Sequence, residues 1–397
     1  MPFFTTQRLV MLVFFLQPIA FGSWLPRIPD IQLAVGLGPQ GLALALLGLP
    51  CGTLATLPFA GRIVGQIGAR RAMLIGFVMH LIAVCLPPFS THAAFLFVSL
   101  IFVGSSMSFL ELALNIEAAR VEKASGKLIM STAHGFWSLG IMLGSFIGAA
   151  LAGVALAPPM AVALIAIVSL PVCTLAARAL PDVETATRAE DGERHSPFMV
   201  PGWALLGVCL FVFGVTITEG AMADWSAIYL RGVFAADPVT AGIGYTIFAL
   251  LVAAGRFSGD HLRARLGSVA LARAFGVLAL VGVALLTLAP NTFVALAGFA
   301  IVGIGVSVGF PLAVAAAAAL PGASASRNVA VLSFIALLGF LIGPPIIGFI
   351  AEHWALRIGL VALLPALALS LVLTGRLAVA KPTSIDDDVP RATEPVL

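Results

Sequence analysis

The segment PDVETATRAEDGERHSPFMV, residues 181–200, decides how this chain folds, because it is the longest polar stretch in an otherwise apolar sequence. Long runs without Lys, Arg, Asp or Glu lie on both sides of it, among them residues 128–177 and 274–326. A helix needs about 20 apolar residues to cross the core of a bilayer. Each flank is therefore long enough for several membrane-spanning helices.

The composition is typical of a membrane protein. Of the 397 residues, 60% are hydrophobic and 10% are charged, and the mean hydropathy is +1.10. Soluble domains are about one-quarter charged, so soluble enzymes, nucleic-acid binders and secreted disulfide scaffolds are excluded. The formal charge of +3 gives no indication of a nucleic-acid partner. The four cysteines lie inside apolar runs and are interpreted as small buried side chains.

The chain contains nine runs without charged residues, and three of them are too long for a single crossing. Turn-forming residues interrupt these three runs: PPFSTH at 87–92, APP at 157–159 and APN at 289–291. Division at these points predicts twelve transmembrane helices and an all-α membrane protein. The predicted spans are approximately 9–26, 40–60, 72–89, 94–116, 130–152, 159–179, 203–223, 239–258, 270–289, 293–318, 329–350 and 357–376.

The distribution of positive charge predicts the orientation of these helices. Twelve crossings place both termini on one side, and the loops on that side carry 18 of the 21 Lys and Arg residues, Arg256 among them. The loops on the other side carry only Arg27, Arg231 and Arg357. Because cytoplasmic loops are enriched in Lys and Arg, both termini are expected in the cytoplasm. We expect a multi-pass protein of the inner (plasma) membrane.

The polar segment divides the chain into two similar halves. We expect a six-helix bundle at 1–180, a cytoplasmic linker at 181–200, a second six-helix bundle at 201–378 and a disordered tail at 379–397. A shift of 199 residues aligns glycines of the two halves: Gly68 with Gly267, Gly104 with Gly303, Gly140 with Gly339, and Gly144 with Gly343. Glycines at four-residue spacing let helix backbones approach closely, so we interpret them as packing sites, with sliding surfaces as the alternative. Parallel repeats are typical of transporters that bind substrate between two halves.

The segment GRIVGQIGARR at 61–71 lies between predicted helices 2 and 3. Together with the twelve spans and their 6+6 division, it resembles the loop signature of the major facilitator superfamily, Gly-x-x-x-Asp-Arg-x-Gly-Arg-Arg/Lys. A second copy, GDHLRARLG at 259–267, follows helix 8. Gly65 and Ala264 stand at the acidic places of the two copies. The resemblance implies the major facilitator fold and a gating role for the six matching residues, which are Gly61, Gly68, Arg70, Arg71, Arg265 and Gly267.

Further segments resemble the fucose-permease-like branch of that superfamily and a group of uncharacterised bacterial inner-membrane proteins. These segments are ELALNIE at 111–117, HGFWSLG at 134–140, TEGAMADW at 218–225, GFPL at 309–312 and GPPIIG at 343–348. Helix 4 of this branch carries Glu-x-Ala-x-Asn, whose glutamate is implicated in proton coupling. Glu111, Ala113 and Asn115 match that pattern, whereas Leu25 stands where the branch has a helix-1 aspartate.

Polar residues inside the predicted spans are candidate functional groups, because ionisable side chains are costly in a membrane. Glu111 lies about 17 residues into helix 4, and Asn115 lies one turn further on the same face. We interpret Glu111 as a proton or substrate group, or alternatively as a neutral buried carboxyl. His134, at the start of helix 5, is a candidate proton relay or a hydrogen-bonded structural residue. Gln17 and Trp24 of helix 1, with Asn115, are candidates for contact with solute.

Charged residues near the outer ends of helices 1 and 7 suggest a gate. Glu219 and Asp224 flank GAMA in helix 7, and Arg27 follows helix 1 on the same side of the membrane. One hypothesis pairs Arg27 with Glu219 or Asp224 when the outside is closed. The alternative is an interfacial acid next to Trp225 of an aromatic belt.

The expected function is secondary transport of a small solute by alternating access. The leading hypothesis is proton-coupled symport of a sugar-like or other small polar metabolite, and the alternative is efflux of an amphipathic compound by proton antiport. A non-transporting sensor would need a sizeable soluble module, and neither the linker nor the tail is one.

Several signatures of other chemistry are absent from the sequence. Without GxxxxGKS/T, HExxH or GxSxG, neither ATP-driven pumping nor hydrolysis is expected, so the protein is not expected to be an enzyme. We predict no cofactor and no metal site. The expected partners are the solute, protons and the lipid bilayer, and the protein is expected to be a monomer.

Overall fold

Twelve helices long and apolar enough to cross a membrane make up the computed structural model, which confirms the predicted number. The described residues are 5–126, 129–181, 202–321 and 324–378. Within these ranges the chain forms helices and turns and contains no strand. The predicted linker, apart from Pro181, and the predicted tail lie outside the described residues.

Six helices form each half. Those of the first half are α1 (Thr6–Val35), α2 (Pro39–Ile67), α3 (Ala69–Phe89), α4 (Ala93–Ser125), α5 (Met130–Gly153) and α6 (Pro158–Ala179). Those of the second half are α7 (Trp203–Phe234), α8 (Pro238–Leu266), α9 (Ser268–Leu288), α10 (Thr292–Ala318), α11 (Ala325–His353) and α12 (Leu356–Leu377). The three predicted breaks separate α3 from α4, α5 from α6 and α9 from α10. Within α1 the helix is interrupted before Ile19, because Pro18 has no amide hydrogen to continue the helical hydrogen bonds.

Several helices extend about two to three turns beyond their predicted ends, among them α1 to Val35 instead of 26, α7 to Phe234 instead of 223, and α8 to Leu266 instead of 258. Each ends where the next residue has a positive φ, which a right-handed helix cannot accommodate. The φ values are +73° at Gly36, +52° at Ala235 and +78° at Gly267.

Asp224 and Arg256 therefore lie well inside their helices rather than at the ends. The sequence analysis placed Asp224 at the outer end of its helix and counted Arg256 among the loop cations, and both placements are wrong. The physical reason is that a charge does not end a membrane helix when its side chain faces the interior of the bundle.

The two halves repeat the same close helix contacts. A Cβ atom on Gly104 would collide with the backbone carbonyl of Leu49, and one on Gly303 would collide with that of Phe248. Both members of the second contact lie 199 residues after their counterparts. The 199-residue shift therefore relates not only the glycines of the two halves but also the residues against which they pack.

The glycines spaced four residues apart pack helix against helix in both halves. Gly140 of α5 lies against the backbone of α1 at Phe15, and Gly339 of α11 lies against the backbone of α7 at Phe213. Backbones approach this closely only where no side chain intervenes. These contacts confirm the predicted packing role of Gly140 and Gly339.

The halves meet differently at the two ends of the bundle. We call the end with the chain termini the terminal face and the opposite end, with the loops at 36–38, 154–157, 235–237 and 354–355, the distal face. Helices α5 and α8 pack together from Gly153 and Val239 near the distal face to Gly135 and Phe257 near the terminal face. Helix α11 packs against the distal part of α2 (Pro39–Leu46) and only marginally against the longer terminal part. The α2–α11 contact is thus closed at the distal face and weakens toward the terminal face, whereas α5 and α8 stay packed along their length.

Asp237 caps the first turn of α8 at the distal face. Its carboxylate accepts hydrogen bonds from the Val239 amide (2.9 Å) and from the amide and hydroxyl of Thr240 (3.2 and 2.5 Å). These bonds, above all the one from the Thr240 hydroxyl, hold the pKa of Asp237 below its usual value. The cap is charged at neutral pH, and its contribution to stability is lost as the pH falls through the lowered pKa.

We expect the stability of the protein to depend on the absence of a side chain at the paired glycine contacts. Gly104→Ala and Gly303→Ala each insert a Cβ against a backbone carbonyl, and overpacking of this kind costs about 1–3 kcal/mol. Each variant should melt at a lower temperature in detergent, and the two losses should add because the sites are distant. Gly232→Ala is the matched control, since no atom lies within 4 Å of its added Cβ. Equal melting temperatures for all three variants would contradict the packing role.

Candidate transport site

A buried ion pair connects α7 and α8. Arg256 Nη2 lies 3.3 Å from Glu219 Oε1, and each side chain is 14% exposed. At 1.5 Å per residue, Glu219 lies about 22 Å and Arg256 about 27 Å from the distal ends of their helices. An ion pair at this depth has a large desolvation cost, which makes it a candidate functional site.

The ion pair is also bonded to the first half of the molecule. Arg256 Nη1 donates to Ser138 Oγ at 2.8 Å, and Ser138 Oγ donates to the His134 carbonyl at 3.0 Å. Ser138 and His134 belong to α5, whereas Arg256 belongs to α8. One guanidinium therefore links the two halves deep inside the bundle.

Further ionisable side chains surround this link. Tyr245 of α8 is buried and lies within electrostatic reach of the ion pair and of Asp224. The charge of Arg256 also reaches the imidazole of His134. The structure thus brings together His134, Glu219 and Asp224, which the sequence analysis assigned to a relay and to a gate.

Glu111 lies on the side of α4 that faces away from lipid. Nine residues, or about half a turn in projection, separate it from Phe102, which is 56% exposed on the outer surface. Glu111 and Asn115 are both partly exposed, and Glu111 lies about 27 Å from the distal end of α4, at the depth of Arg256. Within the described part of the chain Glu111 has no ion-pair partner, and no three His, Cys, Asp or Glu side chains could share a metal ion. The proton and solute roles of Glu111 and Asn115 stay predictions.

Gln17 and Trp24 are buried at 1% and 2% exposure on α1. The Trp137 indole of α5 donates from Nε1 to Gln17 Oε1 at 2.5 Å, and Gln17 Nε2 is buried without a hydrogen-bond partner. Neither Gln17 nor Trp24 reaches an open surface in this conformation. Their contact with solute stays a prediction.

The predicted pairing of Arg27 with Glu219 or Asp224 is wrong in this structure. Arg27 Nε lies 2.8 Å from Asp30 Oδ2, and Arg27 Nη2 donates to the Leu156 carbonyl at 2.7 Å. The reason is that α1 remains helical to residue 35, which places Asp30 one turn from Arg27. Among the described residues, neither acid of α7 forms an ion pair with Arg27.

Two other carboxylates connect the halves at the distal face. Asp30 of α1 forms an ion pair with Arg231 of α7, with side chains 23% and 25% exposed. Glu352 of α11 accepts a hydrogen bond at 3.1 Å from the amide of Gln40 in the first turn of α2, where the helix dipole favours a negative charge. Both contacts have to break when the halves separate at the distal face.

The residues of the loop signature lie at the terminal face. Gly68 and Gly267, with φ of +83° and +78°, form equivalent turns in the two halves. Arg70 donates to the Arg178 carbonyl at 2.6 Å, at the end of α6 in the same half. The exposed members are Gly61, Arg71, Arg265 and Gly267. Their gating role stays a prediction.

The sequence analysis missed several residues of the site and of the distal contacts: Ser138, Asp30, Arg231 and Glu352. It also missed the position of Arg256. A usable signal was present, because Gly36 and Gly267 follow the true ends of α1 and α8. Helices drawn to these glycines would have included Asp30 in α1 and placed Arg256 well inside α8. Nothing in the sequence distinguishes Ser138 from other serines of the spans.

Comparison with known proteins relates this chain to a family of transporters. A model described as "Major Facilitator Superfamily" matches residues 10–326. An uncharacterised MFS-type transporter of Yersinia pestis is 32% identical over 369 residues, which cover 91% of this chain and 94% of that protein. The membrane protein MosC of Rhizobium meliloti is 28% identical over 340 residues, which cover 85% of this chain and 82% of that protein.

Solved structures with the same fold include two transporters. The nucleoside transporter NupG superimposes with a TM-score of 0.71 at 15% identity, covering 94% of this chain and 98% of that one. A bacterial homolog to the human lysosomal transporter Spinster, in an inward-facing and occupied conformation, superimposes with a TM-score of 0.68 at 14% identity, covering 94% and 96%. These likenesses confirm the predicted fold.

We expect the members of the buried ion pair to depend on each other for stability. Removal of one partner leaves the other charge buried and uncompensated, which costs about 3–5 kcal/mol. Glu219→Leu and Arg256→Met should each lower the melting temperature of the purified protein, and the double variant should recover much of the loss. Independent, additive losses in thermal unfolding would show that the two side chains are not coupled.

Proposed function

Because the chain belongs to the major facilitator superfamily, we propose that it moves a small polar solute across the membrane by alternating access, coupled to protons. The observation that carries this proposal is the Glu219–Arg256 pair, which is buried and bonded across the halves to Ser138. A charged pair is costly inside an apolar bundle, so its presence favours a role in binding solute or protons. The leading candidate solute is a sugar-like or other small polar metabolite.

We propose that the terminal face is cytoplasmic and that the membrane is the inner (plasma) membrane. The support is the excess of Lys and Arg in the loops of that face, which persists when Arg256 is moved from the loops into α8. In this orientation the halves, 1–180 and 201–378, are the two moving bodies. The structure then corresponds to a state in which the outer face is closed by the contacts between α2 and α11.

Two groups are proposed to relay the coupling proton through the bundle. Glu111 is supported by its position on the inner side of α4 at the depth of Arg256. His134 is supported by its place beside the guanidinium, on the same turn as Ser138. Asn115, one turn from Glu111, is proposed to contact the solute, together with Gln17 and Trp24 in a conformation that uncovers them.

Efflux of an amphipathic compound by proton antiport is the second candidate function. The aromatic rings beside the ion pair favour it, since Phe136 and Phe257 pack edge-on at 5.7 Å across the two halves. The two candidates differ in direction. An inward proton gradient drives solute into vesicles by symport and out of them by antiport.

We expect Glu111→Gln to separate proton coupling from solute movement. In proteoliposomes that contain the purified protein, the variant should lose net solute uptake driven by a pH gradient but retain part of the solute exchange. Glu122→Gln, on the same helix three turns closer to the terminal face, is the matched control, because its amide oxygen can still accept the hydrogen bonds of Ile129 and Met130. Full gradient-driven uptake by Glu111→Gln would remove this carboxyl from the mechanism.

We expect Arg231→Gln to favour opening of the distal face, because it removes the ion pair with Asp30 that joins the halves. Spin labels at the exposed residues Leu33 and Trp354, with the native cysteines replaced by alanine, would report this opening as a larger population of long distances.

Arg357→Gln is the matched control for this measurement. Arg357 lies at the same face but donates to the Thr287 carbonyl at 3.1 Å in its own half. The same distance distribution in Arg231→Gln and Arg357→Gln would show that the Asp30–Arg231 pair does not hold the distal face closed.

A further inference from the structure

We propose that the transported solute carries an anionic oxygen group, in the simplest case a carboxylate, which replaces Glu219 as the partner of Arg256 while Glu219 takes up one proton. This inference rests on the proposed transport function and names the class of solute that the same site takes.

Arg256 uses only part of its hydrogen-bonding capacity. A guanidinium has five N–H donors in a planar fork and does not lose its charge in proteins. Here Nη1 binds Ser138 at 2.8 Å, Nη2 lies 3.3 Å from Glu219, and Nε is buried without a hydrogen-bond partner. Nε and Nη2 share one edge of the guanidinium, and such an edge binds a carboxylate through two parallel hydrogen bonds. Because Glu219 reaches only Nη2, through one long contact, and leaves Nε unbonded, a carboxylate that makes both bonds can displace it.

The charges around Arg256 favour an anion over other solutes. The helices packed around the pair carry these charged or titratable groups, among others: Asp224, Arg231, Tyr245, Asp260, His261, Arg263, Arg265, His134, Arg327, Glu352 and His353. Glu352 and His353 lie at the distal face, and Asp260 and Arg263 lie one to two turns closer to the terminal face. A cationic solute would meet the fixed charge of Arg256. A neutral solute could not replace Glu219 as its counter-charge.

The exchange conserves charge at the site. Before binding, the carboxylate of Glu219 balances the positive charge of Arg256. After binding, the anion of the solute balances it, and the displaced carboxylate of Glu219 binds a proton, because an unpaired carboxylate is more costly in an apolar bundle than the neutral acid. One anion and one proton cross together, so a transport cycle moves no net charge.

Ser138 connects this exchange to the movement of the halves. It binds Nη1, which is not part of the Nε–Nη2 edge. A solute bound at the free edge therefore contacts α8 directly and α5 through the same guanidinium. Solute and proton are bound at the junction on which the two halves move.

Matched trios of probes test the class of solute. Purified protein in proteoliposomes would be offered D-galacturonate, D-galactose and D-galactosamine, and L-lactate, propane-1,2-diol and 1-aminopropan-2-ol. Uptake would be measured with a pH gradient of one unit, and separately with a potassium diffusion potential set by valinomycin.

The inference predicts that only acids accumulate. A gradient of one pH unit supports about tenfold accumulation of a monovalent anion that moves with one proton. The diffusion potential alone should drive none. In Glu219→Gln, acid uptake should no longer follow the pH gradient, while exchange of labelled for unlabelled acid continues. Arg256→Lys keeps the charge but loses the paired N–H donors of the guanidinium, and it should weaken binding of acid at least tenfold.

Arg263→Gln is the control for loss of a cation from α8, and its selectivity should equal that of the parent protein, since Arg263 bonds Ser268 near the terminal face. Accumulation of a neutral or amine probe, or acid uptake driven by the potential, would overturn the inference and leave the proposed transport function standing. Failure of the parent protein to move any probe of either trio would contradict both. Thermal unfolding of each variant would verify that the protein is folded.

Discussion

An arginine inside an apolar helix bundle has to keep a counter-charge, and this constraint organises the centre of the molecule. The guanidinium of Arg256 cannot become neutral, and the lipid and helices around it offer little solvation. Its contacts therefore fall on the few groups within reach, the carboxylate of Glu219 in its own half and the hydroxyl of Ser138 in the other. Any change in one of these partners has to be matched by another charge or by a proton. That requirement is what can couple solute, proton and the relative position of the halves.

The rest of the fold allows such a change without loss of the bundle. Within each half, glycine seams lock α1 to α5 and α7 to α11, so each half can move as a unit. Between the halves the contacts are of another kind. They comprise a long seam between α5 and α8, together with exposed polar contacts at the distal face that include Asp30–Arg231 and Glu352–Gln40. Partly exposed ion pairs are weak compared with packed backbones, so opening at the distal face costs less than disruption of a half.

The sequence predicted the features that depend on local chemistry. Apolar runs and turn residues located twelve helices, and glycines such as Gly104 and Gly303 marked the repeat. Both signals depend only on residue type and on position along the chain. Helix ends were missed where a charge was taken as a boundary, as at Arg27 and Asp224, because burial of a charge depends on which face of the helix meets the interior. The partner of Arg27 was missed for the same reason. The contact between Ser138 of α5 and Arg256 of α8 depends on tertiary packing, which a single sequence does not reveal.

The most direct test is infrared difference spectroscopy of the protein in lipid, on addition of the acid that the parent protein accumulates. If solute replaces Glu219 at Arg256, the spectrum should gain the carbonyl stretch of a newly protonated carboxyl, and this band should be absent in Glu219→Gln and present in Glu111→Gln. A spectrum without such a band, or a band that persists in Glu219→Gln, would contradict the exchange of partners at Arg256.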